Sequence, residues 1–373
     1  MSGVRILGAL RLPVAPRGGA LSRHEIHQLG APLLRRLLDD AGLPPEAVDE
    51  VVVGNALGGG GNPARLAALA AGLPQRVAGL SIDRQCCGGL DALILGAALI
   101  GAGGAEAVLA GGIESYSRRP LRLRTDPGGG PPVAYDRPPF TPWPDRDPGM
   151  DAAAAALAAE AGIARAAQDA WAIDSHRKAR AARMHDEILP LAGLDRDAFT
   201  RALSPTLAAR APVLCGPITA ANAAVAADGA AFCLMVSDRL AARLGARLGA
   251  GPGGVVWRGG ATLGDRPEMP GLAPVAAIGA VLDRAGLRAD RLAVAEVMEA
   301  YAVQALACIA GAGLDPAIVN PGGGGLARGH PVGASGAINA VRLFHELRRR
   351  GGTGIAAIAA AGGLGSAVAM ALS

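Results

Sequence analysis

Aromatic residues are scarce in this 373-residue chain: Phe, Tyr and Trp together make up 3%. That scarcity argues against a large aromatic ligand cage. The heavy use of Gly and Ala instead favours closely packed helices and strands. Cysteines are also few, namely Cys86, Cys87, Cys215, Cys233 and Cys308. They are odd in number and not spaced as a disulfide framework, so a reducing, cytoplasmic setting is the simplest reading. No CxxC spacing occurs and the histidines do not cluster with the cysteines, so no metal site is expected. There is no dense Lys/Arg run and no basic stripe interleaved with aromatics. The net charge of +4 suits an anionic partner, but nucleic-acid binding is not expected. The N-terminal segment lacks a signal-peptide pattern, because Arg11 and several prolines break its apolar run. An uncharged stretch, Gly354–Ser373, has the length of a membrane helix, yet Gly362, Gly363 and Gly365 split it. Two buried strands joined by a glycine turn explain it better, and no membrane association is expected.

What is present is length, apolar content and repetition. The chain is long enough for more than one core. "LLDDAGL" (Leu37–Leu43) returns as "VLDRAGL" (Val281–Leu287), 244 positions later. Each copy ends a helical pattern at Gly and is followed by a strand-like run, Asp49–Leu57 in one and Ala295–Val303 in the other. The same offset carries position 86, a cysteine, onto position 330, a histidine. Strands and helices alternate, which argues for α/β layers. Residues 1–118 form one half, completed by about 213–248, and 249–373 form the other. Between them, 119–212 is an insertion. Arg122–Gly149 is rich in Pro and Gly and reads as loop; Met150–Leu191 is Ala-dense and reads as helical. A lid over a site and a plain structural insertion both fit.

Two segments carry chemistry-bearing residues. In "DRQCCGGL" (Asp83–Leu90) a strand ends near Asp83 and a helix begins near Cys87–Leu90. A thiol at Cys86 would face the unpaired N–H groups of the first turn, which carry roughly half a positive charge. That predicts a pKa below the free value of about 8.5. Buried packing is the competing reading. In Asn320–Arg350, "NPGGGGLARGHPVGASGA…" holds His330 between glycines and Pro331. A histidine fixed in this way suits a general base toward a thiol, or a structural role. The glycine run is not a phosphate loop, since no Gly-Lys-Ser/Thr follows and GxGxxG is not matched.

Several segments, in order, resemble those of the thiolases, which are acyl-CoA acyltransferases. "GNALGGGGNPARLAALAAGLP" resembles the stretch before the family's nucleophile, with its NPAR element at Asn62–Arg65. "DRQCCGGLDAL" is similar to the nucleophile segment NRxCxSG, "VLAGGIESYS" to AGGxESMS, and "ITAANAAVAADGAA" to TAGNASGxNDGAA. "SHRKA" and "DEILPL" resemble parts of the inserted lid, and "GGGLARGHPVGASGA" the GHPxGxSG segment. The resemblance implies a thiolase fold: two duplicated βαβαβαββ halves in five αβαβα layers, with an inserted loop domain. It implies Cys86 as the acylated nucleophile, His330 as its base, and the backbone N–H groups of Cys86 and Ala361 as an oxyanion hole. Met150, Ala224, Ala300 and Tyr301 fall on substrate-binding positions. Acyl-CoA and CoA are implied as substrates, with no permanently bound cofactor. The CoA arm is implied to run between lid and core, and the assembly to be a homodimer or homotetramer.

The departures bear on the reaction. The family motif CxGGGxG reads "AAAGGLG" here, so the second catalytic cysteine is Ala359. The NEAF motif reads "MEAY", with Met298 where the family's Asn positions a water. A Ser that contacts pantetheine in the family is Ala224, and Gly149 stands where His is frequent. Loss of a positioned acid/base group costs about 10²–10⁴-fold and loss of an oxyanion donor about 10²–10³-fold. Both would fall on the carbon–carbon step, leaving acylation of Cys86 intact. Cys308 lies about two turns beyond Tyr301, too far to replace the lost base. Three readings stand: a thiolase-type acyltransferase, a hydrolytic or decarboxylative relative, and a non-catalytic CoA-binding subunit.

Overall fold

The structure is a computed structural model that describes residues 3–58, 60–247 and 253–372. The expected boundary at 248/249 lies outside the described residues.

The N-terminal half runs β1 (Val4–Arg11), α1 (Ile26–Ala41), β2 (Glu50–Gly54), α2 (Pro63–Ala70), β3 (Ala78–Ile82), α3 (Gly88–Gly101) and β4 (Ala107–Ser115). The insertion contributes a hairpin of β5 (Arg122–Arg124) and β6 (Val133–Tyr135), then α4 (Met150–Glu160) and α5 (Arg165–Ala181). β7 (Ala227–Ser237) returns to the first half. The C-terminal half comprises β8 (Val255–Gly264), α6 (Ala273–Ala285), β9 (Val294–Val297), α7 (Ala302–Gly311), α8 (Ser335–Arg350), β10 (Gly352–Ala360) and β11 (Leu364–Leu372).

The duplication is visible in the backbone. α1 and α6 both end at a left-handed glycine, Gly42 (φ 58°) and Gly286 (φ 64°), whose N–H caps the preceding carbonyls. The uncharged C-terminal stretch is two antiparallel strands, β10 and β11, turned through Gly362 and Gly363 at positive φ. Among the described residues no helix is long and apolar enough to cross a membrane.

The strands join into one ten-stranded mixed sheet: nine run in the order β9-β10-β11-β8-β1-β7-β4-β2-β3, and a two-residue strand, Ala15–Pro16, pairs with β7 off this path. The join is thin: β1 meets β8 through Arg5↔Val256 and Ile6↔Val255. Three cores give the five layers. Leucines of α1 with Ala64, Ala67 and Ala68 of α2 cover one face of the first half. Ile278, Val281, Cys308 and Ile309, from α6 and α7, cover the far face of the second. Between the half-sheets, α3 and α8 pack on each other and on both. α8 is buried from Ser335 to Leu347, as a helix sandwiched between sheets must be. The two helices meet backbone to backbone at their first turns. A Cβ on Gly89 would lie 2.7 Å from the Gly333 carbonyl oxygen, and one on Gly336 would lie 2.6 Å from the Leu90 nitrogen. Only glycine permits that approach.

Two sequence expectations need correction. The run Ala295–Val303 is strand only to Val297; the chain then turns and α7 starts at Ala302. The helical reading of Met150–Leu191 stops at Ala181. Residues 187–189 instead pair with β1, Arg11 N–H donating to Glu187 O (2.8 Å) and Leu189 N–H to Arg11 O (2.9 Å).

That segment is held by buried charge. Arg11 donates to Glu187 (2.8 Å) and forks onto Asp197 (2.7 and 3.0 Å), while Arg342 of α8 donates to Glu187 (2.5 Å) and Glu346 (2.6 Å). Burial alone would raise the Glu187 pKa, but Arg342 and Arg11 outweigh it and hold the carboxyl down to about 2. The network therefore contributes stability that is present above the ordinary carboxylate range and is lost as pH falls toward about 2. Replacing Arg11 with Leu takes the guanidinium from buried Asp197 and leaves Glu187 with Arg342 alone. The expected cost is about 3–5 kcal/mol, read as a lower denaturant midpoint at unchanged slope; an unshifted midpoint contradicts it.

Candidate active site

Cys86 sits where β3 gives way to α3. Gln85 takes a positive φ of 49°, and Asp83 accepts from its backbone N–H (2.9 Å) and its side-chain amide (3.0 Å). One tight turn, Gln85–Cys87, then leads into α3. Position 329, in the same relation to His330, is Gly at φ 108°. The sharp bends aim both side chains into one cleft. Cys86 Sγ lies 3.1 Å from His330 Nε2.

The tautomer follows from the next partner. Ser335 Oγ donates its hydrogen to the Pro331 carbonyl (3.0 Å), so it accepts from His330 Nδ1 at 2.6 Å. Nδ1 then carries the proton, and Nε2 presents its lone pair to the thiol. The His330 backbone N–H is fixed on Val225 O at 2.8 Å.

Two buried glutamates brace this arrangement. Glu114, in β4, accepts from Asn55 Nδ2 (2.9 Å), Ala56 N (3.0 Å) and Gly333 N (2.9 Å), tying the loop after β2 to the turn after His330. Burial pushes its pKa up to about 7, against the pull of those N–H groups. Glu299 accepts from Trp171 (3.0 Å), Ser175 (2.7 Å) and Asn320 (2.8 Å), tying α5 of the insertion to the C-terminal half. Ser335, Glu114 and Glu299 lie inside motif segments recognised in the sequence. Their roles depend on contacts across the fold, which spacing does not encode.

The thiol does not behave as its helix N-terminus suggested. Burial pushes Cys86 up to about 12; its own backbone N–H pulls down, while Glu114 and Asp83 push further up. Burial also lowers His330 to about 4. Both shifts favour a neutral thiol and a neutral imidazole over the charged pair.

A cavity of about 440 Å³ opens over the pair. Met150, Ala224, Ala300, Tyr301, Ala359 and Ala361 all line it, with Cys86 and His330. Met298 is buried behind the wall, in the core between α3 and α8. Cys87 is buried with Sγ toward Ile358 O (3.5 Å), and Cys308 is turned onto Gly271 O (3.0 Å). Arg119, Arg122 and Arg137 also line it. One polar contact inside went unread in the sequence: Tyr301 Oη donates to Asp151 Oδ1 at 2.6 Å. The partners are 150 positions apart, a separation that leaves no local signal. Among the described residues no group of His, Cys, Asp or Glu could hold a metal ion. A thiol beside an imidazole nitrogen that presents its lone pair can take up and pass on an acyl group.

Known proteins resemble this chain over its whole length. The family "Thiolase, N-terminal domain" matches residues 4–239 and "Thiolase, C-terminal domain" matches 255–372. The acetyl-CoA acetyltransferase of Pseudomonas aeruginosa is 37% identical over 399 residues, covering 100% of both chains. The crystal structure of the Bacillus anthracis acetyl-CoA acetyltransferase superposes with a TM-score of 0.92 at 31% identity, covering 100% of this chain and 99% of that one. A thiolase from Ascaris suum in complex with coenzyme A gives 0.90 at 31%, covering 100% of each. The chain belongs to the thiolase family. It is an acyltransferase of the thiolase type, and the hydrolytic and non-catalytic readings are not favoured.

The neutral resting pair has a spectroscopic consequence. At pH 7, Cys86→Ala is expected to leave the ultraviolet thiolate absorbance unchanged; a clear loss would mean a standing thiolate–imidazolium pair. On acidification through about 4, His330 takes a proton and its capacity as a base is expected to disappear.

Proposed function

We propose that the protein transfers acyl groups from CoA thioesters through an acyl-Cys86 intermediate. The observation that carries this is the 3.1 Å contact between Cys86 Sγ and a His330 nitrogen freed by the Ser335 hydrogen bond. His330 takes the thiol proton as sulfur attacks the thioester carbonyl. The N–H groups of Cys86 and Ala361 receive the developing oxyanion. His330 then returns the proton to the departing CoA thiolate. No permanently bound cofactor enters this half-reaction. The acyl group occupies the space beside Met150, Ala224, Ala300 and Tyr301. The CoA arm leaves between the insertion, 119–212, acting as a lid, and the core. Arg122, which donates to the Ala56 carbonyl (3.1 Å), offers positive charge to an anionic ligand, whereas Arg119 and Arg137 are paired with Asp136 and Asp147.

The assembly is proposed to be at least a homodimer of cytoplasmic location. Among the described residues β3 ends the sheet with no strand on its outer edge, and Leu80 on it is 41% exposed. An open edge of this kind calls for a partner strand, and a second copy supplies one. Leu80→Glu is expected to shift the mass in light scattering toward the monomer, and a wild type that is already monomeric would sink the point.

Mixing enzyme with acetyl-CoA, without an acceptor, is expected to release about one free CoA per chain in a burst. Cys86→Ser is expected to abolish the burst. His330→Ala is expected to slow it by about 10²–10⁴-fold. No burst with any acyl-CoA would end this reading.

A further inference from the structure

Making or breaking a carbon–carbon bond between two thioesters moves a proton at an α-carbon. Cys86 carries the acyl group at that stage and His330 Nε2 stands at its sulfur, which leaves the α-carbon of the second thioester to another proton carrier. The wall where one might stand, Ala359 to Ala361, offers only methyl groups. Cys87 and Cys308 are buried and turned onto backbone carbonyls. Among the other proton-exchanging side chains of the cavity, Asp136 is exposed and paired with Arg119 at 2.6 Å. Tyr116 lies with its ring against Arg119, 4.8 Å from the guanidinium carbon to the centroid. Two remain, and they are bonded to each other. Asp151 comes from the first turn of α4 in the insertion, and Tyr301 from the residue that opens α7. Both line the cavity, both are only partly buried, and Tyr301 Oη donates to Asp151 Oδ1 at 2.6 Å. The hydroxyl also lies within the electrostatic reach of Cys86. A phenol bonded to a carboxylate in the same cavity as Cys86 and His330 is a ready path for a proton.

We propose that Tyr301 and Asp151 form the proton relay of the carbon–carbon step, in the place left open by Ala359. The inference rests on acyl transfer through Cys86. In the condensing direction the α-carbon C–H bond of the second acyl-CoA breaks and its proton passes to Tyr301 Oη. The phenolic proton passes at the same time to Asp151 Oδ1. The electron pair left on the α-carbon forms the new bond to the acyl carbon, and the bond from that carbon to Cys86 Sγ breaks. The sulfur leaves as thiolate, and the proton held by Asp151 neutralises it, which restores the resting state. In the cleaving direction the same proton returns from Asp151 through Tyr301 to the α-carbon. No external oxidant, reductant or metal is required.

The test separates the two half-reactions in the full-length enzyme. Acetyl-CoA is incubated in D₂O, and two rates are read by mass spectrometry: acetylation of the protein, and entry of deuterium into the acetyl methyl group. Asp151→Asn keeps an acceptor for the Tyr301 hydroxyl but takes no proton, so a merely structural tether survives it. The expected result is a fall of about 10²–10³-fold in exchange relative to acetylation, in Asp151→Asn and in Tyr301→Phe alike. An unchanged ratio in Asp151→Asn overturns the relay and leaves acyl transfer standing. So does a wild type that is acetylated but exchanges no deuterium. A wild type that is never acetylated instead removes the acyl-transfer reading on which the relay rests.

Discussion

The site depends on how closely the first turns of α3 and α8 approach. Gly89 against Gly333, and Gly336 against Leu90, leave no room for a Cβ, so the two helix starts meet backbone to backbone. One start is preceded by Cys86 and the other by His330. A side chain at either glycine would wedge the starts apart, and a shift of about 1 Å is enough to remove a hydrogen bond of 3.1 Å. The duplicated fold places these starts at corresponding points of its two halves. It therefore delivers a nucleophile from one and a base from the other.

Around that contact the polar groups are fastened in pairs that cross the fold. Glu114 binds the loop after β2 to the turn after His330. Ser335 fixes the imidazole, and Glu299 fixes the insertion through Trp171 and Ser175. Farther out, Arg11, Glu187, Asp197 and Arg342 hold the irregular end of the insertion. Pre-positioned groups of this kind let charge develop on reaction without reorganising the site. The same enclosure desolvates the thiol and the imidazole. Both effects favour the thiol and the neutral imidazole over the charged pair.

Much of this was legible in the chain itself. The 244-position offset joined Cys86 to His330 before any geometry was available, and Gly362-Gly363 marked the terminal hairpin as a hairpin. Motif order carried the family, and the positions of Ala359 and Met298 showed where the chain leaves it. What escaped were quantities set by packing. The helix end at Cys86 pointed to a lowered thiol pKa, while burial, which no spacing reports, drives it the other way. The helical pattern after Ala181 looked continuous, yet β1 claims the backbone of residues 187–189. The Tyr301–Asp151 bond joins two segments that are silent in isolation.

The central claim is that acyl transfer runs through one of two neighbouring sulfurs, the one beside His330. The direct measurement is peptide mapping of enzyme quenched during turnover with acetyl-CoA, with fragmentation between Cys86 and Cys87. A single acetyl group on Cys86, absent from Cys87 and diminished in His330→Ala, is the expected result. An acetyl group on Cys87, or on any residue outside the cleft, would contradict it.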